Sequence, residues 1–576
     1  MLQRTEYPRP QLRREEWLSL NGVWQFAYDD EETGLLSGYE RETPLPLKIN
    51  VPFAHQTEAS GLHDETPHSC VWYKRTFTAK KNKRAILNFN ACDYETDVWV
   101  NGRHCITHVG GYTPFSTDVT PYLVPGENIL AVRCKDPLDP AIPRGKQSWT
   151  GKQFTCWYIP TTGIWQSVWI DWVGDDYLAS HCLMPDYDSC SVSGELVTGR
   201  GVADEAELRI SLHGEPVKRL RLSLDGKRTK FSTPLLERSF VDAVDAWSPE
   251  HPNLFDVEIT LFCAGRAADV TKTRFGLRKI SAADGRITLN NQPLYQRLVL
   301  DQGYWEESGL TPPSPEAIKR DIELSIELGF NGARKHQKFE DPYFYYYAEE
   351  LGFLCWCEMP SAYYFCAEEE RLLSGQWREI VETARNFTSG IAYVPLNESW
   401  GVRRIVADRS QQNFARALYY ATKALDPTRP VSTNDGWETP DATDLLGIHD
   451  YAATGSAFES YRREELDDFY PQNRRFMAEG CRSNGQPVLL TEFGGIALAG
   501  QSQGENWGYN EGAGSEKEFL ARYSDLLRGV YQNPLLCGFC YTQLTDVQQE
   551  VNGLLYADRT PKFDLAQIRK ITENRK

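Results

Sequence analysis

The sequence predicts a multidomain fold with two antiparallel β-sandwiches followed by a C-terminal TIM (β/α)8 barrel. Short strands separated by turn residues fill the first half of the 576-residue chain. Helical patterns appear after about Leu277 and alternate with short apolar runs. Eight such strand–helix alternations over residues 277–576 match the size of a barrel. A doubly wound open sheet is the structural alternative.

The first predicted domain covers residues 1–175. Val98 and Val100 alternate with their neighbours as in a strand, and Asn101-Gly102 then supplies the two positive-φ positions of a tight hairpin. Many short strands of this kind are typical of an antiparallel sandwich.

The second predicted domain, residues 176–276, has about the length of one immunoglobulin-like sandwich. Apolar residues occupy every second position of the run 255–261, as a half-buried strand requires. Asp225-Gly226 indicates a hairpin in the same domain.

Helix boundaries in the predicted barrel are marked by caps. Ser314-Pro315-Glu316 combines an N-cap, a proline at the first helical position and an acidic first turn, and Gly329 ends this helix. Asp341-Pro342 and Gly352 delimit the next helix in the same way. The eight apolar runs are Tyr295–Leu300, Gly332–His336, Phe353–Met359, Gly390–Glu398, Pro430–Asn434, Leu445–Tyr451, Pro487–Glu492 and Leu536–Thr542.

Composition excludes several classes of partner. A net charge of -18 argues against nucleic acid, because phosphate binding needs clustered Lys and Arg. The chain contains no apolar run of about 18 residues, which is the length that a membrane-spanning helix needs. The polar N-terminus lacks a secretory h-region, and the 14 cysteines are scattered, so we expect reduced thiols and a cytoplasmic location. Homo-oligomer formation stays open.

Polar side chains gather at the carboxyl ends of the predicted strands, where barrel active sites lie. Carboxylates, amides and aromatics from seven strands would therefore converge at one mouth. These residues are Arg334-Lys335-His336, Cys357-Glu358-Met359, Asn397-Glu398, Asn434-Asp435, His449-Asp450-Tyr451, Thr491-Glu492, and Gln543 with Asp546.

Glu398 and Glu492 stand out because each ends an otherwise apolar run. Partial desolvation at the barrel rim is expected to raise a carboxyl pKa. Two carboxylates facing one another can divide the work of glycoside cleavage: an acid protonates the leaving oxygen, and a carboxylate about 5.5 Å away attacks the anomeric carbon. The pair predicts a retaining glycosidase.

The motifs Leu396-Asn397-Glu398-Ser399 and Thr491-Glu492-Phe493-Gly494-Gly495 give the chain a family likeness. It resembles glycoside hydrolase family 2, the group of β-galactosidases, β-glucuronidases and β-mannosidases. The resemblance implies a jelly-roll sugar-binding-type domain, an immunoglobulin-like sandwich and a catalytic barrel. It also implies that Glu398 is the general acid/base and Glu492 the covalent nucleophile.

The same resemblance suggests sugar contacts around the pair. Asn397 would hydrogen-bond the 2-hydroxyl of the sugar, and His336, Glu358 and Tyr451 match positions of contacts in subsite −1 more loosely. Trp400, Trp437 and Trp507 are candidates for stacking on a pyranose ring. The predicted substrate-binding set is Asn397, His336, Glu358, Tyr451, Trp437, Trp507, Asp435 and Gln543.

The sugar is less determined than the reaction. β-Glucuronidases of the resembled family carry Asn-x-Lys after strand eight, whereas this chain has Asn552-Gly553-Leu554, so β-galactosides are the leading expectation. Glucuronides, mannosides and arabinosides remain alternative substrates, and a non-catalytic carbohydrate-binding protein is the alternative from another class.

No cofactor or metal is predicted. The pairs Cys355/Cys357 and Cys537/Cys540 could form a zinc site, but their places in predicted strands favour core packing.

Overall fold

The computed structural model describes residues 2–235, 245–498, 500–501 and 505–574. Its N-terminal domain is an antiparallel jelly-roll sandwich, in which a six-stranded sheet (β3-β2-β4-β10-β7-β8) packs on a four-stranded sheet (β1-β12-β5-β9), with β11 and β6 paired beside them. The strands are β1 (Trp17–Ser19), β2 (Gly22–Tyr28), β3 (Leu47–Val51), β4 (Cys70–Thr78), β5 (Arg84–Phe89), β6 (Cys92–Asp93), β7 (Glu95–Val100), β8 (Arg103–Val109), β9 (Phe115–Asp118), β10 (Glu127–Lys135), β11 (Gly163–Ile164) and β12 (Val168–Val173).

The hairpin predicted at Asn101-Gly102 joins β7 to β8, and both residues have positive φ. The strand before it is buried on both faces, because Trp99 stacks on Trp72 with 5.2 Å between ring centroids. The alternation in the sequence predicts burial of one face of this strand, whereas the structure buries both.

The second domain is an immunoglobulin-like sandwich of two antiparallel sheets, β13-β14-β17 and β16-β15-β18-β19. The alternation at 255–261 is confirmed, since those apolar side chains are buried in β18. The hairpin expected at Asp225-Gly226 is wrong: β16 pairs with β15 and β17 pairs with β14, so this turn crosses between the sheets. The strands are β13 (Leu178–Asp186), β14 (Ser191–Thr198), β15 (Glu205–Leu212), β16 (Glu215–Ser223), β17 (Arg228–Pro234), β18 (Phe255–Cys263) and β19 (Arg266–Phe275).

The C-terminal domain is a parallel (β/α) barrel preceded by a small antiparallel sheet, β20-β21-β22. Its strand order is β26-β25-β24-β23-β29-β28-β27. In chain order the elements are β20 (Ile280–Ala283), β21 (Arg286–Leu289), β22 (Gln292–Pro293), β23 (Gln296–Asp301), α1 (Pro315–Glu327), β24 (Gly332–Lys335), α2 (Pro342–Leu351), β25 (Leu354–Glu358), α3 (Ala367–Ala384), β26 (Gly390–Val394), α4 (Arg409–Leu425), β27 (Leu446–His449), α5 (Ser456–Glu459), β28 (Val488–Gly494), α6 (Glu516–Gln532), β29 (Leu536–Thr542) and α7 (Leu565–Thr572).

The predicted caps are present, with the Ser314 and Asp341 side chains accepting hydrogen bonds from the first turns of α1 and α2. One predicted strand is wrong in form: the run 430–434 is not a regular strand. Isolated parallel bridges of Val431 with Tyr393, of Asp435 with Asn397 and of Gly436 with Ile448 join this segment to its neighbours instead. The barrel closes through these bridges.

The N-terminal domain is attached to the rest of the chain by buried charge. The Arg14 guanidinium contacts Asp171 at 3.0 Å within its own domain and Asp269 of the second domain at 2.8 Å. Such buried pairs are costly to break, because one charge is then left without a partner.

The cysteine pairs do not come together. Cys355 and Cys357 lie on β25, and Cys537 and Cys540 lie on β29, with β24 and β23 between these strands. None of the helices in the described ranges is long and apolar enough to cross a bilayer.

Candidate active site

Glu398 lies four residues beyond β26, in a turn held by the irregular fifth segment. Its φ is +52°, a left-handed conformation that costs free energy in a non-glycine residue and is common at functional sites. The turn is fixed because Glu398 N donates to the Asp435 carbonyl at 2.9 Å, and Ser399 N donates to the Asn434 side chain at 3.1 Å. The surrounding structure therefore determines where this carboxylate points.

Glu492 lies on β28, and its carboxylate is held from two sides. The Tyr451 hydroxyl donates to Oε2 at 2.7 Å, and the Arg334 guanidinium lies 3.4 Å from Oε1. One carboxylate oxygen of Glu398 and one of Glu492 lie within 4.8 Å of each other. The structure thus brings the two predicted glutamates together at the barrel mouth. The separation fits the close carboxylate pair of retaining glycosidases rather than the wider inverting pair.

His449, at the end of β27, connects the carboxylates. Its Nδ1 lies 2.9 Å from Glu398 Oε1 and 3.4 Å from Glu492 Oε2, and its Nε2 lies 2.9 Å from Asp435 Oδ2. Burial lowers the pKa of His449, but the charges and hydrogen bonds of Glu492, Asp435 and Glu398 outweigh burial and raise the pKa to about 10. His449 is therefore an imidazolium at neutral pH.

The expectation of a raised pKa at the barrel rim is wrong for Glu398. Burial does raise the pKa of its carboxyl, but the hydrogen bond from His449 and the charges of His449 and Lys146 outweigh burial and lower the pKa to about 2. Desolvation was the only influence visible in the sequence, and the compensating cations come from distant parts of the chain.

Arg334 is completely buried and organises the residues behind the pair. Its guanidinium contacts Glu358 at 2.5 Å and Asp435 at 3.0 Å, and it donates to Asn397 Oδ1 at 3.1 Å. Glu358 and Asp435 are themselves fully buried. Both belong to the predicted substrate-binding set, and in the structure their oxygens are bound to Arg334 and to His336 or His449.

Three predicted substrate-binding residues present buried polar atoms that have no hydrogen-bond partner among the described residues. They are Asn397 Nδ2, Gln543 Oε1 and Trp437 Nε1. Buried polar groups are normally paired, so these atoms are available to bind a polar ligand or water. His336 also faces the site, with Nε2 at 3.9 Å from Glu492 Oε1.

The remaining tryptophans lie at the edge of the site. The Trp400 indole donates to Glu398 Oε2 at 3.2 Å, and the Arg403 guanidinium covers its ring at 4.3 Å. Trp507 donates to the Thr155 carbonyl at 2.7 Å. Both indoles thus carry contacts that fix the rim.

Comparison with known families matches nearly the whole chain. Residues 17–142 match the sugar binding domain of glycosyl hydrolases family 2, residues 181–278 match glycosyl hydrolases family 2, and residues 280–576 match the TIM barrel domain of that family. The chain belongs to glycosyl hydrolase family 2.

Relatives of this family 2 chain carry more than one activity in their names. A β-glucuronidase of Paenibacillus borealis is 23% identical over 90% of this chain and 89% of its own length. A β-galactosidase of Thermoanaerobacter pseudethanolicus is 24% identical over 72% of this chain, and the match spans 54% of the relative, about half its length.

Solved structures share the fold across the whole family 2 chain. A β-glucuronidase from Ruminococcus gnavus superposes with a TM-score of 0.78 at 20% identity, covering 99% of both chains. A β-galacturonidase from Eisenbergiella tayi has a TM-score of 0.76 at 20% identity, covering 98% of both chains.

Sequence reasoning missed a segment of the N-terminal domain that covers the barrel mouth. We call residues 144–159, between β10 and β11, the roof loop. Arg144 N and Gly145 N both donate to the Ser361 carbonyl at 3.0 Å, and Gln549 Nε2 donates to the carbonyls of Thr155 at 2.8 Å and Trp157 at 3.0 Å. No local pattern in the family 2 sequence signals this docking, because its partners are over 200 residues away.

Arg334 and His449 were also absent from the predicted site set, although both lie at strand ends that the sequence analysis had marked. Glu398, His449 and Glu492 form the one group of metal-ligating side chains within the described ranges. Both nitrogens of His449 are hydrogen-bonded to carboxylates, so an ion bound here would have to displace one of these contacts.

Proposed function

We propose that the chain is a retaining exo-β-glycosidase that acts by double displacement, with Glu492 as the nucleophile and Glu398 as the general acid/base. The observation that carries the proposal is the approach of the two carboxylates to within 4.8 Å at the mouth of a barrel of family 2. This separation leaves room for one anomeric carbon and its leaving oxygen.

The surroundings of Glu492 suit a nucleophile. Arg334 and the Tyr451 hydroxyl both bind its oxygens, which fixes the direction of attack. Attack forms a bond between a Glu492 oxygen and the anomeric carbon, while the bond from that carbon to the leaving oxygen breaks.

Glu398 obtains the proton for the leaving oxygen from His449. While Glu492 is an anion 3.4 Å away, it helps to hold the proton on the imidazole. Bond formation to the anomeric carbon removes that charge, so the His449 proton moves along the 2.9 Å hydrogen bond to Glu398, which passes the same proton to the leaving oxygen. Water then enters, Glu398 accepts its proton and returns one to His449, and hydroxide attack releases the sugar from Glu492.

Exo action is supported by the roof loop. Trp157 of this loop packs edge-on against Trp400 at 5.0 Å, and the loop is hydrogen-bonded to segments after two barrel strands. A site closed above in this way accommodates a chain end rather than the middle of a polysaccharide.

The sequence favours β-galactosides, and a curated relative is named β-galactosidase. The comparisons support β-uronides equally, because relatives and structural neighbours include β-glucuronidases and a β-galacturonidase. Mannosides and arabinosides have no comparable support among these relatives.

The test is a panel of 4-nitrophenyl β-glycosides of galactose, glucose, mannose, glucuronate, galacturonate and arabinose. We expect hydrolysis of at least one member with a β-configured first product in NMR spectra. Glu492→Ala should remove this activity, and azide should restore turnover as an α-glycosyl azide. The exposed Glu511→Ala is the control. Sugar binding without hydrolysis of any panel member would instead support a carbohydrate-binding protein.

A further inference from the structure

We propose that Lys146 of the roof loop binds the carboxylate of a uronic acid in the sugar subsite, so that the preferred substrates are β-uronides. This inference rests on the proposed glycosidase function and specifies its substrate class. The residue belongs to the N-terminal domain, whereas the proposed catalytic pair belongs to the barrel.

The main chain of Lys146 is fixed against the barrel mouth. Its carbonyl accepts a hydrogen bond from Tyr158 N at 2.8 Å, which closes the roof loop on itself. The preceding residue, Gly145, lies so close to the barrel that an added Cβ would come within 2.3 Å of the Gln337 carbonyl. Gln337 directly follows His336, so Lys146 begins at the rim of the site.

The Lys146 side chain is 8% exposed. It interacts with the Cys156 thiol and, electrostatically, with Glu550, Glu398 and Glu492. Within the described ranges no carboxylate oxygen lies within 4.0 Å of its ammonium. A cation is therefore buried within electrostatic range of the proposed catalytic pair, without a direct ion pair.

The nearby carboxylates already have other partners. Glu398 is bonded to His449, and Glu492 to Tyr451. Glu550 accepts from the Tyr158 hydroxyl at 2.7 Å and from the Asn552 amide at 3.2 Å. None of these groups moves to the ammonium without losing a hydrogen bond.

The buried ammonium contacts a thiol but no carboxylate, and a ligand carboxylate would give it a direct ion pair. A uronic acid supplies both kinds of group that the site lacks. Its hydroxyls suit the unpaired atoms of Asn397, Gln543 and Trp437, and its carboxylate suits Lys146. A neutral hexose would satisfy the first set and leave the ammonium without a direct ion pair.

The experiment compares the wild type with Lys146→Gln and Lys146→Arg on nitrophenyl β-glucuronide, β-galacturonide and β-galactoside, and on the methyl ester of the glucuronide. The wild type should prefer a uronide to the galactoside and to the ester. Lys146→Gln should lower kcat/KM for that uronide by about 100-fold or more, and far less for the neutral substrates. Lys146→Arg should recover part of the preference.

Lys152→Gln is the matched control, because this lysine of the same loop is exposed, and all of its rates should equal those of the wild type. Thermal melting checks that every variant is folded. A wild type that hydrolyses the galactoside but neither uronide would overturn the inference, as would an equal loss on all substrates in Lys146→Gln.

A failure of the proposed glycosidase activity can be distinguished from a failure of the Lys146 inference. If no glycoside is hydrolysed, calorimetric titration with free D-glucuronate, D-galacturonate and D-galactose decides the question. Uronate binding that Lys146→Gln abolishes would support the inference without the activity, and equal or absent binding of the three sugars would end it.

Discussion

His449 Nδ1 and Glu398 Oε1 lie 2.9 Å apart, with the proton on the imidazole and the negative charge on the carboxylate. Asp435 holds the other ring nitrogen at 2.9 Å, so the ring cannot turn away. The proposed acid of this site is thus ionised before substrate binds, and its proton is stored on a neighbour.

Glu398→Gln should affect hydrolysis according to the leaving group. Loss of the acid slows departure of a poor leaving group by about 10² to 10⁴-fold, whereas a dinitrophenolate departs without help. We expect kcat/KM to fall strongly for phenyl glycosides and little for 2,4-dinitrophenyl glycosides. An equal decrease for both would contradict the acid role, and Glu511→Gln serves as the control.

His449→Gln should move the basic limb of the pH–rate profile toward acid. In the wild type, His449 keeps its proton until the pH approaches about 10, so kcat/KM for a phenyl glycoside should persist well above pH 7. In the variant Glu398 must carry the proton itself, which it loses at much lower pH. Superimposable basic limbs in the two enzymes would argue against proton storage on His449.

His449 and Glu398 should also make the free energy of unfolding depend on pH. The folded-state pKa of His449 is raised from 6.5 to about 10, so its contribution is complete below pH 6.5 and is lost as the pH rises toward 10. The folded-state pKa of Glu398 is lowered from 4.5 to about 2, so its contribution is present above pH 4.5 and is lost as the pH falls toward 2.

The difference in Tm between the wild type and His449→Gln should therefore be largest between pH 4.5 and 6.5 and shrink on both sides. Calorimetry across pH 3 to 10 measures this difference. A difference that is constant with pH would show that the variant acts through packing alone.

Arg334→Met should lower the free energy of unfolding by about 3–5 kcal/mol, because Glu358 and Asp435 would remain buried without their cation. Urea denaturation measures the change. Arg378→Met is the matched control, since that side chain is 64% exposed and its pair with Glu382 should contribute less than about 1 kcal/mol. Equal losses in the two variants would refute the role assigned to Arg334.

Gly145→Ala should displace the roof loop and lower kcat/KM by about 100-fold, the effect expected of a shift of about 1 Å in a substrate-positioning element. The new Cβ would collide with the Gln337 carbonyl. Gly126→Ala tests the backbone effect alone, because Gly126 also has positive φ but no atom within 4 Å of a Cβ. If the two variants lose activity equally, the roof loop does not position substrate.

Much of this architecture could be predicted from the sequence because the relevant signals are local. Hydrophobic alternation over 255–261 gave a real strand, and the caps at Ser314 and Asp341 gave real helix starts. Glu398 and Glu492 were identified as a pair because barrel strands present their carboxyl ends at one mouth.

Predictions from local sequence were wrong where pairing with distant segments determined the structure. The turn Asp225-Gly226 has hairpin chemistry, yet strand pairing across the sandwich made it a crossover. The run 430–434 was predicted as a strand, but it joins the barrel through isolated bridges, and Asn434 and Asp435 fix the Glu398 turn.

The sequence by itself determined the three-part fold, the family likeness and the two glutamates, because periodicity, caps and short motifs are properties of neighbouring residues. Only the tertiary structure decided the charge state of Glu398 and brought Lys146 to the site. Those outcomes depend on cations that reach the same mouth from different strands and a different domain. Electrostatic interactions act through space, so their strength is set by distances that no local pattern in the chain encodes.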